Sequence, residues 1–165
     1  MRGLSPLLQR FRRGDDGAAL VEFALSLPLI LILAFGAFEA QRLLWGYQAA
    51  VAAVRDATRY VARVADGDIC DGAGPTATDL AWLSGMATTT LGRAVVPGGV
   101  TVTGVAVVVD CEDDLDLRQA VVPRARVTAD LRIALPFTTV FTLAGGAAWD
   151  SIDTSVVEEA RIYGL

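Results

Sequence analysis

The chain has 165 residues, 53% of them hydrophobic, a formal net charge of −5, and neither His nor Lys. That length suits one modest domain, and an acidic balance without a basic stripe argues against a nucleic-acid partner. Without imidazole or ammonium groups the usual general base and most metal-site chemistry are missing.

The first element in chain order is a basic leader. Arg2, Arg10, Arg12 and Arg13 stand against Asp15 and Asp16 immediately before an apolar run. Positive charge on that side keeps the N-terminus in the cytoplasm and sends the rest of the chain outward. From Ala18 to Phe38 the only charged residue is Glu22, and the only other polar side chain is Ser26. A helix over that stretch rises about 32 Å, enough for a hydrocarbon core of about 30 Å. Arg42, Trp45 and Tyr47 follow, amphipathic residues of the kind that settle at an interface.

Glu22 stands five residues after Gly17, at the start of the membrane-grade segment. A carboxylate inside such a segment is expensive, so its position points to function. Two plainer readings remain open. In one, the segment is an uncleaved anchor whose Glu22 snorkels to the headgroups. In the other, Ala34-Phe35-Gly36 precedes a signal-peptidase cut before Ala37. Pro28 lies inside the apolar half and removes the amide that would bond to Ala24, which predicts a kink or a hinge.

The helical pattern continues past the membrane. Leu43, Leu44, Tyr47, Val51, Val54, Thr58, Val61 and Ala65 recur at spacings of three and four and predict one buried stripe. Arg55, Arg59 and Arg63 stack on another face, with Asp56 one turn before Arg59. A helix from Ala18 to Asp66 is therefore expected, stopped at Gly67 and followed by a loop through Pro75. Thr78 or Asp79 is the expected cap of a short helix through Leu91, with Leu80, Leu83, Ala87 and Leu91 on one side.

Pro97-Gly98-Gly99 then breaks the chain, and Val100 to Val109 reads as a strand ending near Cys111. Glu112 to Asp116 is the expected acidic connection. Arg124, Arg126, Thr128, Asp130 and Arg132 alternate with Ala125, Val127, Ala129, Leu131 and Ile133, the pattern of a strand from Arg124 to Leu135 with one wet face. Phe137 to Leu143 suits a short helical turn. Trp149 to Tyr163 suits a last strand, although Glu158, Glu159 and Ala160 also suit a helix. The fold class expected is α+β: a long N-terminal membrane-spanning helix, continued as an amphipathic helix and packed on a three-stranded antiparallel meander.

Two cysteines, Cys70 and Cys111, lie beyond the span on the outward side, where an even pair reads as a disulfide. The acidic run Asp66 to Gly72 misses the alternation of a calcium loop, and no Glu closes it. Joined to Asp110–Asp116 through the disulfide it forms either a calcium site or, as charge runs usually do, a solvated rim. No nucleophile elbow, phosphate loop or triad is present, so no enzyme activity, cofactor or small-molecule substrate is expected.

Gly17-Ala18-Ala19-Leu20-Val21-Glu22-Phe23-Ala24-Leu25-Ser26-Leu27-Pro28, Phe35-Gly36-Ala37-Phe38-Glu39 and Ala53-Val54-Arg55-Asp56-Ala57-Thr58-Arg59-Tyr60 resemble the N-terminal signature of the TadE/TadG family. The resemblance covers residues 17–62. It implies a minor pseudopilin of a tight-adherence (Flp-type) pilus in the bacterial inner membrane, cut between Gly17 and Ala18 by a prepilin peptidase, with Glu22 and Phe23 serving assembly and recognition. The partners implied are that peptidase, other pilin-like subunits, inner-membrane platform proteins and membrane lipid. The chain is too short for the extra domain of many TadG proteins, so a TadE-like or TadF-like protein fits better.

The organisation expected is a cytoplasmic leader over 1–17, a transmembrane helix over 18–40, its amphipathic extension over 41–66 and an extracytoplasmic α+β domain over 67–165. Removing residues 1–17 moves the net charge from −5 to −7. The competing hypothesis is a single-span, membrane-anchored periplasmic binding or sensory module unrelated to pili.

Overall fold

A computed structural model of the protein describes residues 16–94, 99–113, 121–136, 142, 145–146 and 150–164. The elements in chain order are helix α1 (Asp16–Val64), helix α2 (Ala77–Arg93) and strands β1 (Val100–Asp113), β2 (Val121–Ala134) and β3 (Ser151–Arg161). The fold is α+β, with one helix among the described residues long and apolar enough to cross a membrane. Contacts divide the chain into two compact units, Met1–Ala40 with Phe137–Ala148, and Gln41–Pro136 with Trp149–Leu165. Residues 1–15 of the leader and the expected turn over 137–143, except Thr142, lie outside the described residues.

In the second unit the core begins with small side chains on α1. Ala50, Ala53, Val54, Ala57, Thr58, Val61 and Ala62, with Ala65 just beyond the helix, are buried at helical spacing, and the apolar ones share one core with Val107, Ala125 and Val127 of the sheet. The expected stripe is corrected at its start: Leu44 and Tyr47 are exposed, because the alanine-rich face is the one that packs. Thr58 is buried, with its hydroxyl donating to the Val54 carbonyl at 2.7 Å. Arg55 pairs with Glu158 of β3 at 3.0 Å, and the Arg42 guanidinium donates to the Ala134 carbonyl at the end of β2.

Helix α1 ends at Val64, two residues before the expected Asp66. Its last carbonyls find partners: Ala65 N donates to Val61 O at 3.0 Å, and Tyr163 N donates to Ala62 O at 3.4 Å. The C-terminal segment lies so close that a Cβ on Gly164 would fall 2.7 Å from Gly67 N, and Gly164 has φ +69°. Gly164→Ala should therefore cost about 1–2 kcal/mol for the left-handed backbone alone. Displacement of Gly67 adds to it, and a thermal melt of the full chain in detergent reads the loss.

The cap of α2 is Thr76, not Thr78 or Asp79. The Asp79 amide donates to Thr76 Oγ1 at 3.3 Å, and the Thr76 amide donates to Asp79 Oδ2 at 2.9 Å, a reciprocal capping box. Thr88, Thr89 and Thr90 satisfy their hydroxyls within the helix, each donating to the carbonyl four residues earlier. Leu83, Ala87 and Leu91 enter the core.

The sheet has order β1-β2-β3 with both pairs antiparallel. Strand β2 alternates as its sequence requires: Ala125, Val127, Ala129 and Leu131 join the core, while Arg124, Arg126, Asp130 and Arg132 face outward. Facing them in the core are Val107 and Val109 from β1 and Val156 from β3. Three boundaries are corrected. Glu112 and Asp113 belong to β1 rather than to a connection, because they pair with Val122 and Val121. Strand β2 starts at Val121, not Arg124, and ends at Ala134. The last element is a strand throughout, Ser151–Arg161, since pairing with β2 outweighs the helix preference of Glu158–Ala160.

Arginines of the central strand reach both neighbours. Arg126 contacts Asp110 at 3.0 Å and Glu159 at 2.6 Å, Arg124 contacts Glu112 at 3.2 Å, and Arg132 grips Asp153 at 2.8 and 3.2 Å. Such exposed pairs fix register more than they add stability. The hydrogen bond from Arg132 holds the Asp153 carboxyl below its usual range, and that from the Thr76 hydroxyl does the same for Asp79. Because both folded values are lowered, the contribution is present above the ordinary carboxylate range and is lost as pH falls through the lowered values. Melting temperature against pH should fall along that acid limb, and Asp153→Asn should flatten it.

Candidate functional site

The site residues other than the cysteines lie in the first half of α1, all of them within helix. Leu25, Leu27, Leu29, Ile30, Leu31 and Leu33 are all exposed, Leu25 by 76% and Leu33 by 66%. Consecutive positions point to every side of a helix, so this segment is apolar all round. Its best 18-residue window has mean hydropathy 2.4, with none of it buried. A bare apolar cylinder of this kind is stable in lipid or among other helices, not in water.

Polar groups in this cylinder are few. Ser26 Oγ donates to the Phe23 carbonyl at 3.1 Å, so its hydroxyl is satisfied inside the helix. Glu22 is exposed among Leu20, Val21 and Phe23, which are 63%, 61% and 59% exposed. Ala18 lies one turn before Glu22 on the same side of the helix. Pro28 is exposed inside the helix, which is continuous on both sides of it.

Gly17 is the second residue of α1, and a Cβ placed on it would meet nothing within 4 Å. Neither packing nor backbone conformation demands glycine there. Glu39 is a feature the sequence reading did not single out. It is 6% exposed, and with Thr58 it makes up the buried polar side chains among the described residues. Its signal in the sequence is a carboxylate three residues before Arg42 at the end of the apolar run.

In the second unit Cys70 and Cys111 form a disulfide with Cα atoms 5.7 Å apart. It joins the loop after α1 to the end of β1, opposite Pro123 of β2. Among the described residues no group of three or more His, Cys, Asp or Glu side chains is placed to hold a metal. Asp114 and Asp116 lie outside the described residues. The outer face of the sheet holds a shallow open depression lined by Thr103, Asp130, Arg132, Asp153 and Ser155.

An exposed apolar helix carrying one carboxylate, followed by a disulfide-linked α+β unit, defines a protein with one candidate membrane anchor among its described residues. Residues 17–59 match the family model described as TadE-like protein, so that segment of the chain is similar to the TadE-like family. No curated protein and no solved structure matched the chain in the same comparisons.

Proposed function

We propose that the protein is a minor pseudopilin of a tight-adherence pilus, cut after Gly17 by a prepilin peptidase. The observation that carries this reading is Gly17 itself. It is a glycine with no steric reason to be one, five residues before the charge in an exposed apolar helix and at the first residue of the TadE-like match. The leader then lies in the cytoplasm, the apolar part of α1 spans the inner membrane and the α+β unit lies outside. Subunits of other pilin-like proteins and the membrane platform are its partners.

Cleavage leaves Ala18 with a free amine, cationic near neutral pH because an α-amino group titrates near ~8. Glu22 is one turn away along the helix, an axial offset of ~6 Å. A neighbouring subunit shifted by about that distance brings its amine beside this carboxylate. In low dielectric such a pair sets register more than it adds net stability. Before assembly the same spacing allows the pair within one helix.

N-terminal sequencing of protein from the membrane fraction should begin at Ala18. Gly17→Arg should leave the precursor uncut, since its bulk and charge obstruct a site that accepts a residue without a side chain. A sequence beginning at Ala37 would mean a removed signal peptide. An intact Met1 would favour the anchored binding or sensory module.

A further inference from the structure

The bond between Gly17 and Ala18 lies inside the first turn of α1, which begins at Asp16. In an α-helix the Gly17 carbonyl accepts the Val21 amide, so the carbonyl that water must attack is already engaged and wrapped by the helix. Hydrolysis adds water to that carbonyl carbon and breaks its bond to the Ala18 nitrogen. It leaves a carboxylate on Gly17 and passes a proton to the amine. A peptidase that takes its substrate as an extended strand cannot engage this bond while the turn is closed.

We infer that cleavage acts on a chain whose first helical turn has opened, and that Gly17 serves as the residue that makes the opening cheap. The inference rests on the proposed processing and specifies how that site is selected. Opening at a helix end loses few hydrogen bonds, because the first amides of a helix have no partners within it. Glycine lowers the cost further: in a helix it is less favourable than alanine by about 1 kcal/mol. When opening and closing are fast relative to cleavage, the rate follows the population of the open form. With open space around Gly17, a methyl group added there meets no neighbour within the folded chain, so Gly17→Ala changes helix propensity rather than packing.

The test compares single-turnover cleavage of the full-length precursor in proteoliposomes by a purified prepilin peptidase. Gly17→Ala should slow cleavage about fivefold, which corresponds to about 1 kcal/mol at about 1.4 kcal/mol per tenfold. Ala19→Gly leaves both residues of the bond untouched and weakens the same turn, so it should speed cleavage by a similar factor. The double variant should return close to the wild-type rate. Hydrogen exchange at the Val21 amide should follow the same order, slowest in Gly17→Ala and fastest in Ala19→Gly. Cleavage of Ala19→Gly at or below the wild-type rate, or a double variant no faster than Gly17→Ala, would overturn the inference while leaving the processing itself intact. A wild-type chain left uncut between Gly17 and Ala18 would overturn both.

Discussion

Replacing Cys70 and Cys111 together by serine should destabilise the α+β unit by about 4 kcal/mol, the loop-closure entropy of a ring of about forty residues. The bond spans 41 positions and closes a loop that contains all of α2 and most of β1. Without it, the segment from Ala65 to Thr76 is tied down by few backbone bonds: Ile69 N to Asp66 O at 3.2 Å and Asp71 N to Asp68 O at 2.7 Å are turn contacts only. The capping box of α2 follows directly, so loosening this loop also loosens the start of a helix that gives Leu83, Ala87 and Leu91 to the core. Domains of this size are stable by about 5–15 kcal/mol in all, so a loss of that magnitude is a large fraction. Thermal unfolding of the full chain, oxidised against reduced and against the double serine variant, measures it. Equal melting temperatures for the three would sink the idea that the bond holds the unit together.

The sequence exposes those parts of this protein whose physics is local. Alternation along Arg124–Ile133 identifies the central strand and its wet face because a period of two has one structural meaning. The apolar run after Gly17 identifies the exposed part of α1 for a similar reason: length and composition alone decide whether a helix can span. What depends on a distant partner is not legible. Leu44 and Tyr47 match the apolar period as well as Val54 does, and only the approach of the sheet selects the face carrying Ala50, Ala53 and Ala57. Glu112 looks like part of an acidic loop until Arg124 across the strand pair supplies its counter-charge. The cap is an intermediate case. Thr76 and Asp79 have the three-residue spacing of a capping box, but a threonine and an aspartate within it compete for the same role. Burial of Glu39 is the least legible, since nothing in its immediate sequence supplies a covering surface.

Glu22→Ala should yield a cleaved, correctly inserted protein that no longer supports pilus formation. Insertion is unharmed because the change removes a charge from an apolar span, where a carboxylate is costly. Cleavage survives because Gly17 and the turn around it are kept. In the proposed assembly the carboxylate acts as the partner of a neighbouring subunit's Ala18 amine. Around it Leu20, Val21, Phe23 and Leu25 form an exposed apolar surface, and packing of neighbouring helices against that surface removes both lipid and water from Glu22. A neighbour's Ala18 amine brought there without its partner is an uncompensated charge in low dielectric, and breaking such a pair costs about 3–5 kcal/mol. Spread over one contact, that lowers incorporation by about two to three and a half orders of magnitude, at about 1.4 kcal/mol per tenfold. Glu22→Gln keeps the size and removes the charge, so it should fail in the same way, whereas a steric role would let it pass. Cleavage, topology and piliation are to be scored on the same cells for wild type and both variants. Normal piliation in Glu22→Ala would reduce Glu22 to a carboxylate that snorkels to the headgroups of a plain anchor.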